Sequence, residues 1–132
     1  MNDKLAAIIN KYRSHPEFLG ITIDDPNQPG AVDDTLLHLS ARKGAIEDID
    51  ILVSSGAVVD ASGDLGNTPL HQAAMTGQVE SVRALIRLGA SKEKRNEFGQ
   101  TPLDVAELGG KREVAQILKS ESLNGGKAES NV

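Results

Sequence analysis

Apolar residues in the middle of the chain recur at helical spacing in two short stretches. The first stretch carries small apolar residues on one face: Leu70, Ala73 and Ala74. The second carries larger ones on one side: Val79, Val82, Leu85 and Ile86. Gly77 separates the stretches, and Gly89 follows the second at a position where glycine can adopt the left-handed conformation that ends a helix. The pattern predicts two short helices followed by a polar turn or hairpin over residues 90–100.

This two-helix unit occurs three times. Thr35, Thr68 and Thr101 are 33 residues apart and open three aligned segments: Thr-Leu-Leu-His, Thr-Pro-Leu-His and Thr-Pro-Leu-Asp. Threonine is a favoured helix N-cap, and proline is accommodated at the first helical position. The alignment continues through later positions of each copy: Gly44, Gly77 and Gly110; Glu47, Glu80 and Glu113; Leu52, Leu85 and Leu118. Because one unit cannot bury its apolar face alone, the repeat predicts a stack of units.

The 33-residue period, the segment from Thr68 to His71, the glycine nine residues after each threonine and the Gly89-Ala90 ending resemble ankyrin repeats. The resemblance covers about two thirds of the chain. It implies an all-α fold, an ankyrin-repeat solenoid of three helix-turn-helix repeats with hairpin or turn connections and an N-terminal helical cap. The predicted units are a cap over 1–29, repeats over 30–62, 63–95 and 96–120, and a flexible polar tail over 121–132. Polar residues on the outward side of the third repeat suit a C-terminal cap.

The N-terminal cap is predicted from residues that do not align with the repeat. Residues 3–14 have four apolar positions on one helical face: Leu5, Ile8, Ile9 and Tyr12. Residues 18–23 are apolar and β-branched, which favours a short extended segment. We expect deletion of residues 1–30 to destabilise the fold markedly, and deletion of residues 121–132 to have little effect.

Histidines are the obvious catalytic candidates, but the resemblance gives His38 and His71 a structural role, in hydrogen bonds to the cap threonine and nearby backbone. The implied structural motif comprises these residues: Thr35, His38, Thr68, Pro69, His71, Thr101, Pro102 and Asp104. No two histidines have zinc-motif spacing, and the acidic residues of the 24–34 loop do not alternate as in a calcium loop. The sequence therefore predicts no catalytic residue, metal site or cofactor, and no enzyme activity.

Composition narrows the class of partner. The 132 residues include no cysteine and 2% aromatic residues, with a formal net charge of −5. Because the chain has no cysteine, disulfides and thiol chemistry are excluded. The low aromatic content and the negative net charge each disfavour binding to nucleic acid. The longest apolar run near the N-terminus, residues 5–9, is too short for a signal peptide or a membrane span. We expect a cytoplasmic protein, monomeric when free, without nucleic-acid or membrane partners.

The resemblance also implies a binding surface, because ankyrin repeats bind proteins on a concave face of hairpin tips and first helices. The matching positions are these: Asp34, Arg42, Lys43, Asp64, Leu65, Asn67, Met75, Thr76, Glu97, Phe98, Gln100 and Leu108. Four of them are large and apolar, and exposed apolar residues indicate a binding patch. The alternative that Leu65 and Phe98 only pack across adjacent hairpins stays open.

The function favoured by the sequence is non-catalytic binding of another protein. The size, the acidity and the absence of catalytic motifs suggest a bacterial inhibitor or immunity protein that blocks a secreted toxin or enzyme. The first half of the chain holds most of the negative charge, which would suit a basic partner. The alternative that this is a solvated surface selected for solubility stays open. An adaptor that tethers two partners is the alternative, and it would need two separate patches.

Overall fold

The computed structural model describes the backbone of residues 2–126 and the side chains of residues 2–120. The described part is helical and contains no strand. Its α-helices are α1 Asp3–Tyr12, α2 Leu36–Lys43, α3 Ile46–Ser54, α4 Pro69–Met75, α5 Val79–Arg87, α6 Pro102–Leu108 and α7 Arg112–Gly126. Two short 3₁₀ helices span Pro16–Phe18 and Asp64–Gly66. The predicted all-α solenoid is confirmed.

The helices form two layers. Each repeat contributes an inner helix, which follows its threonine, and an outer helix that packs against it: α2 with α3, α4 with α5, and α6 with α7. The inner helices α2, α4 and α6 pack against one another in order, and so do the outer helices α3, α5 and α7. Small residues allow this close approach, since Ala73, Ala74 and Ala106 are fully buried. The two faces predicted from the middle copy therefore meet in one continuous core.

The N-terminal segment covers the free end of this core. Helix α1 packs against α3, and its side of contact consists of the predicted residues Leu5, Ile8, Ile9 and Tyr12, all of them buried. Asn2 caps the helix by accepting a hydrogen bond from the Leu5 backbone at 2.7 Å. These four side chains are shielded from water because the first repeat packs beneath them.

Two predicted segments differ from the structure. The 18–23 segment lacks a strand, since Pro16–Phe18 is a 3₁₀ helix and the Ile21 N–H bonds back to the Phe18 carbonyl at 3.0 Å, a turn with no neighbouring strand. Helix α7 runs to Gly126, past residue 121 where the tail was predicted to begin. The rest of the predicted tail, 127–132, lies outside the described residues. Among the described helices, none is long and apolar enough to cross a membrane.

Candidate protein-binding surface

A capping box opens each inner helix, and it explains the Thr-Pro-Leu-His segment. In the second repeat the Thr68 hydroxyl accepts from the His71 backbone N–H at 3.3 Å, and His71 Nδ1 accepts from the Thr68 N–H at 3.0 Å. Proline at the first helical position loses nothing there, since that N–H has no partner in a helix. The third repeat closes the same box with Asp104, whose Oδ2 accepts from the Thr101 N–H at 2.9 Å.

The two repeat histidines also join one repeat to the next. His38 Nε2 donates to the Asn67 carbonyl at 2.9 Å, and His71 Nε2 donates to the Gln100 carbonyl at 2.8 Å. Because a carbonyl can only accept, Nε2 carries the proton, and Nδ1 is left to accept from the cap threonine. Both ring nitrogens are therefore engaged inside the fold. The imidazoles hold the repeats together and offer no free base for catalysis.

The stability of the protein is expected to decrease as the pH falls below about 6.5. Burial lowers the pKa of both His38 and His71 from the ordinary value of 6.5, while Asp34 and the Gln100 carbonyl respectively oppose the shift. Below pH 6.5 the unfolded chain therefore binds more protons than the folded chain. The stability present above pH 6.5 is lost as the pH falls, by at most about 1.4 kcal/mol per pH unit for each histidine.

Urea unfolding between pH 7.5 and pH 5 measures this effect. His71→Gln is the matched variant, because it removes one of the two titrating groups and should flatten the profile. A midpoint that stays constant over this range in the parent protein would contradict the prediction.

The three loops that precede the inner helices end in tips, which we define as residues 31–34, 64–67 and 97–100. The tips are equivalent by the 33-residue period, and each presents one apolar side chain at the same position. Val32, Leu65 and Phe98 are 46%, 46% and 66% exposed, respectively. We call these three residues the tip row. Apolar exposure repeated at one structural position in three repeats is a different feature from scattered surface leucines, which need no explanation.

Adjacent tips are bonded to each other. The Glu97 N–H donates to the Leu65 carbonyl at 3.0 Å, and Asn96 Nδ2 donates to Asn67 Oδ1 at 2.9 Å. Between the first two tips, the Asp64 N–H donates to Asp34 Oδ1 at 2.9 Å. The tips thus form a continuous, mutually supported edge.

Three residues predicted to contact a partner have internal roles instead. Asp34 is 2% exposed and its Oδ2 accepts from Arg42 at 3.2 Å. Asn67 is buried between tips, and the Gln100 side chain accepts from Asn96 at 2.9 Å. All three occupy the position just before the cap threonine. Asp34 and Asn67 bond to Asp64 and Asn96 of the following loops, whereas the Gln100 side chain bonds to Asn96 of its own loop.

The other predicted residues divide into tips and inner-helix ends. Asp64 is half-buried, while Glu97 is exposed beside Phe98. A second set of equivalent positions, the helix row, comprises Arg42, Met75 and Leu108. Leu108 is 75% exposed and Met75 is 40% exposed.

Arg42, Lys43 and Thr76 all make internal contacts. Arg42 is paired with Asp34, as described above. Lys43 Nζ lies 4.9 Å from the centre of the Tyr12 ring, and the Thr76 hydroxyl donates to the Gln72 carbonyl at 2.8 Å. Both Lys43 and Thr76 remain exposed, so these contacts leave part of each side chain accessible. Apolar exposure is therefore concentrated at the tip row and at the last two members of the helix row.

A family model of ankyrin repeats, in three copies, matches residues 5–96 and 37–127. The chain belongs to the ankyrin-repeat family. A comparison with curated proteins gave no significant match. Ankyrin repeats are generally protein–protein interaction modules and are typically non-catalytic.

Sequence reasoning missed one member of the tip row. Val32 lies 33 residues before Leu65, so counting the ankyrin period backwards would have found it. The first tip has no glycine at the position where the other two have one. Asp33 occupies that position instead and takes the left-handed conformation there, with φ +74°. Gly66 and Gly99, the equivalent residues, have φ values of +74° and +75°. Aspartate tolerates this conformation better than most residues, which let the tip form without its usual signature.

The second ankyrin tip holds a leucine in an unfavourable conformation. Leu65 has φ +57° and ψ +25°, in the left-handed region that bulky side chains rarely adopt. Such a conformation costs roughly 1–2 kcal/mol for a residue other than glycine. Because Leu65 is exposed and its backbone conformation is strained, a leucine at this position contributes little to the stability of the fold. Binding of a partner would give a reason for it.

Proposed function

We propose that this ankyrin-repeat protein is a non-catalytic module that binds another protein through the tip row and the exposed end of the helix row. It would act by occupying that partner, as an inhibitor or immunity protein does for a secreted toxin or enzyme. The observation that supports the proposal most is the tip row itself, one exposed apolar side chain at the same position of all three repeats. Aromatic residues at interfaces are frequent energetic hot spots, which gives Phe98 the leading role.

The chemistry of the remaining polar groups favours binding over catalysis. His38 and His71 are held by hydrogen bonds through both ring nitrogens. Among the described residues no cluster of histidine and carboxylate side chains could hold a metal ion. The side chains that are exposed at the tips are apolar or acidic, and such a surface recognises a partner by shape and charge.

Phe98→Ala and Leu65→Ala are each expected to weaken partner binding by more than about 1 kcal/mol, because each removes an exposed apolar contact. The tagged protein would be used to capture its partner from the cells that make it, and the affinity of the identified complex would then be measured by calorimetry. Circular dichroism should show unchanged helicity in both variants, since neither side chain is part of the core.

Leu19→Ala is the matched control, because Leu19 is 64% exposed but lies outside the tip row. Unchanged affinity in both tip variants would place the interface elsewhere on the protein. Simultaneous capture of two partners, with only one of them sensitive to Phe98→Ala, would favour the adaptor function over inhibition.

A further inference from the structure

The tip row has a charge and a spacing that define its partner more closely. Resting on the proposed function, we infer that the tip row takes a basic protein segment in the polyproline II conformation, with an apolar residue at every third position. Each apolar residue of that segment would contact one tip. The argument has three parts: the charge beside the row, the distance between its members, and the rigidity of the tips.

The tips are acidic at the positions next to the apolar side chains. The three tips together contain four acidic residues and no lysine or arginine: Asp33, Asp34, Asp64 and Glu97. Arg42 neutralises Asp34, and Arg95 lies against the third tip, where its Nη1 donates to the Gly99 carbonyl at 2.6 Å. The tips remain negative after both cations are counted. A partner segment with lysine or arginine between its apolar residues complements them.

The stacking of the repeats sets the spacing. Packed helices lie about 8–10 Å apart, and the bonded tips follow the same stack. A polyproline II helix advances about 9 Å over three residues and brings every third side chain back to the same face. In a β-strand, the residue three positions further on points to the opposite face. An α-helix returns to the same face after three or four residues, about 4.5–6 Å, or after seven, about 10.5 Å, and these spacings lie on either side of the range. The polyproline II conformation matches both distance and face.

The tips are also rigid enough to select a conformation. The Leu65 carbonyl and the Asp34 carboxylate each accept a backbone N–H from the adjacent tip. Val32 is held from the other side, because its N–H donates to Glu17 Oε2 at 3.0 Å. A pre-ordered surface and a pre-extended polyproline II segment both lose little conformational freedom on association.

Fluorescence anisotropy with labelled synthetic peptides tests the inference on the full chain. The probe is three copies of Leu-Pro-Lys, and we expect saturable binding that weakens as salt is added. Three copies of Leu-Pro-Glu should bind at least about tenfold more weakly. The same residues as in the basic probe, rearranged so that the leucines are adjacent, should also bind at least fivefold more weakly. The double variant Leu65→Asn, Phe98→Ser should lose at least tenfold in affinity for the basic probe, and Leu19→Ser should lose none.

Equal binding of the basic and acidic probes, or of the probe and its rearranged form, would overturn the inference. So would full affinity in the double variant. Failure of the inference is distinguishable from failure of the proposed function. If the peptides do not bind but Phe98→Ala still abolishes capture of the native partner, the surface is correct and the partner chemistry is wrong. If capture persists in the tip variants, the surface itself is wrong.

Discussion

Deletion of residues 1–30 is expected to abolish cooperative folding of the remaining chain. The deleted segment supplies five buried apolar side chains: Leu5, Ile8, Ile9, Tyr12 and Phe18. Removal of a single buried leucine or isoleucine side chain costs about 2–5 kcal/mol, and a small domain is stable by only about 5–15 kcal/mol. Thermal unfolding followed by circular dichroism should show no transition, or one shifted far below that of the intact chain.

The deletion also removes polar contacts that anchor the cap. The Tyr12 hydroxyl donates to Asp48 Oδ2 at 3.0 Å, and Lys11 pairs with the same oxygen at 2.6 Å. Without the cap, Asp48 would lose both partners, and the Val32 tip would lose its bond to Glu17. A matched control changes the exposed side of α1 only, with Lys4→Ala and Asn10→Ala, and should melt like the parent. If the deleted chain melted as cooperatively as this control, the repeats would not need the cap.

His38→Ala is expected to cost about 3–5 kcal/mol, the range for breaking a buried hydrogen-bonded group and leaving a cavity. The ring is fully buried. The substitution removes the hydrogen bond that Nδ1 accepts from the Thr35 N–H at 3.0 Å and the one that Nε2 donates to the Asn67 carbonyl. The Thr35 N–H would be left buried without its acceptor, and the Asn67 carbonyl would keep only the Gly63 N–H, which donates to it at 2.8 Å. Equilibrium urea unfolding, with fixed slope, measures the loss of stability.

His15→Ala is the matched control for this substitution. His15 caps the 3₁₀ helix by accepting from the Glu17 N–H at 3.1 Å, and it makes no contact between repeats. Loss of such a cap costs about 1 kcal/mol. Equal destabilisation by the two substitutions would show that the bond from His38 to the next repeat contributes little.

The sequence predicted the helices well because their causes are local. Apolar residues at helical spacing, the capping threonines and the 33-residue period each act within a few residues or repeat at fixed intervals. The same logic located Leu65, Met75, Phe98 and Leu108, all of which are exposed. Whether they bind a partner stays a prediction.

The errors arose where the cause lies in a neighbouring repeat. Asp34, Asn67 and Gln100 are polar residues of a predicted tip, and polarity alone suggested exposure. Asp34 and Asn67 bond to Asp64 and Asn96, which only the stacking of tips brings close to them. Gln100 instead accepts from Asn96 of its own loop. At 18–23 the sequence predicts a short extended segment, and the structure has a turn at its start, where the Ile21 N–H donates to the Phe18 carbonyl. Apolar, β-branched composition favours a strand only where another strand is present to pair with it.

Asp104 lacks the bond with which His38 and His71 each join their repeat to the next. A histidine at this position reaches the following tip, whereas the shorter aspartate serves only Thr101 within its own repeat. If a copy of the second repeat were appended after the third, no imidazole of the third repeat would donate a hydrogen bond to its tip. A repeat duplicated upstream of Asp104 would have this bond, because His38 and His71 each donate it to the following tip. A repeat inserted upstream of Asp104 would therefore gain an inter-repeat bond that a repeat appended after the third would lack, unless Asp104 were replaced by histidine.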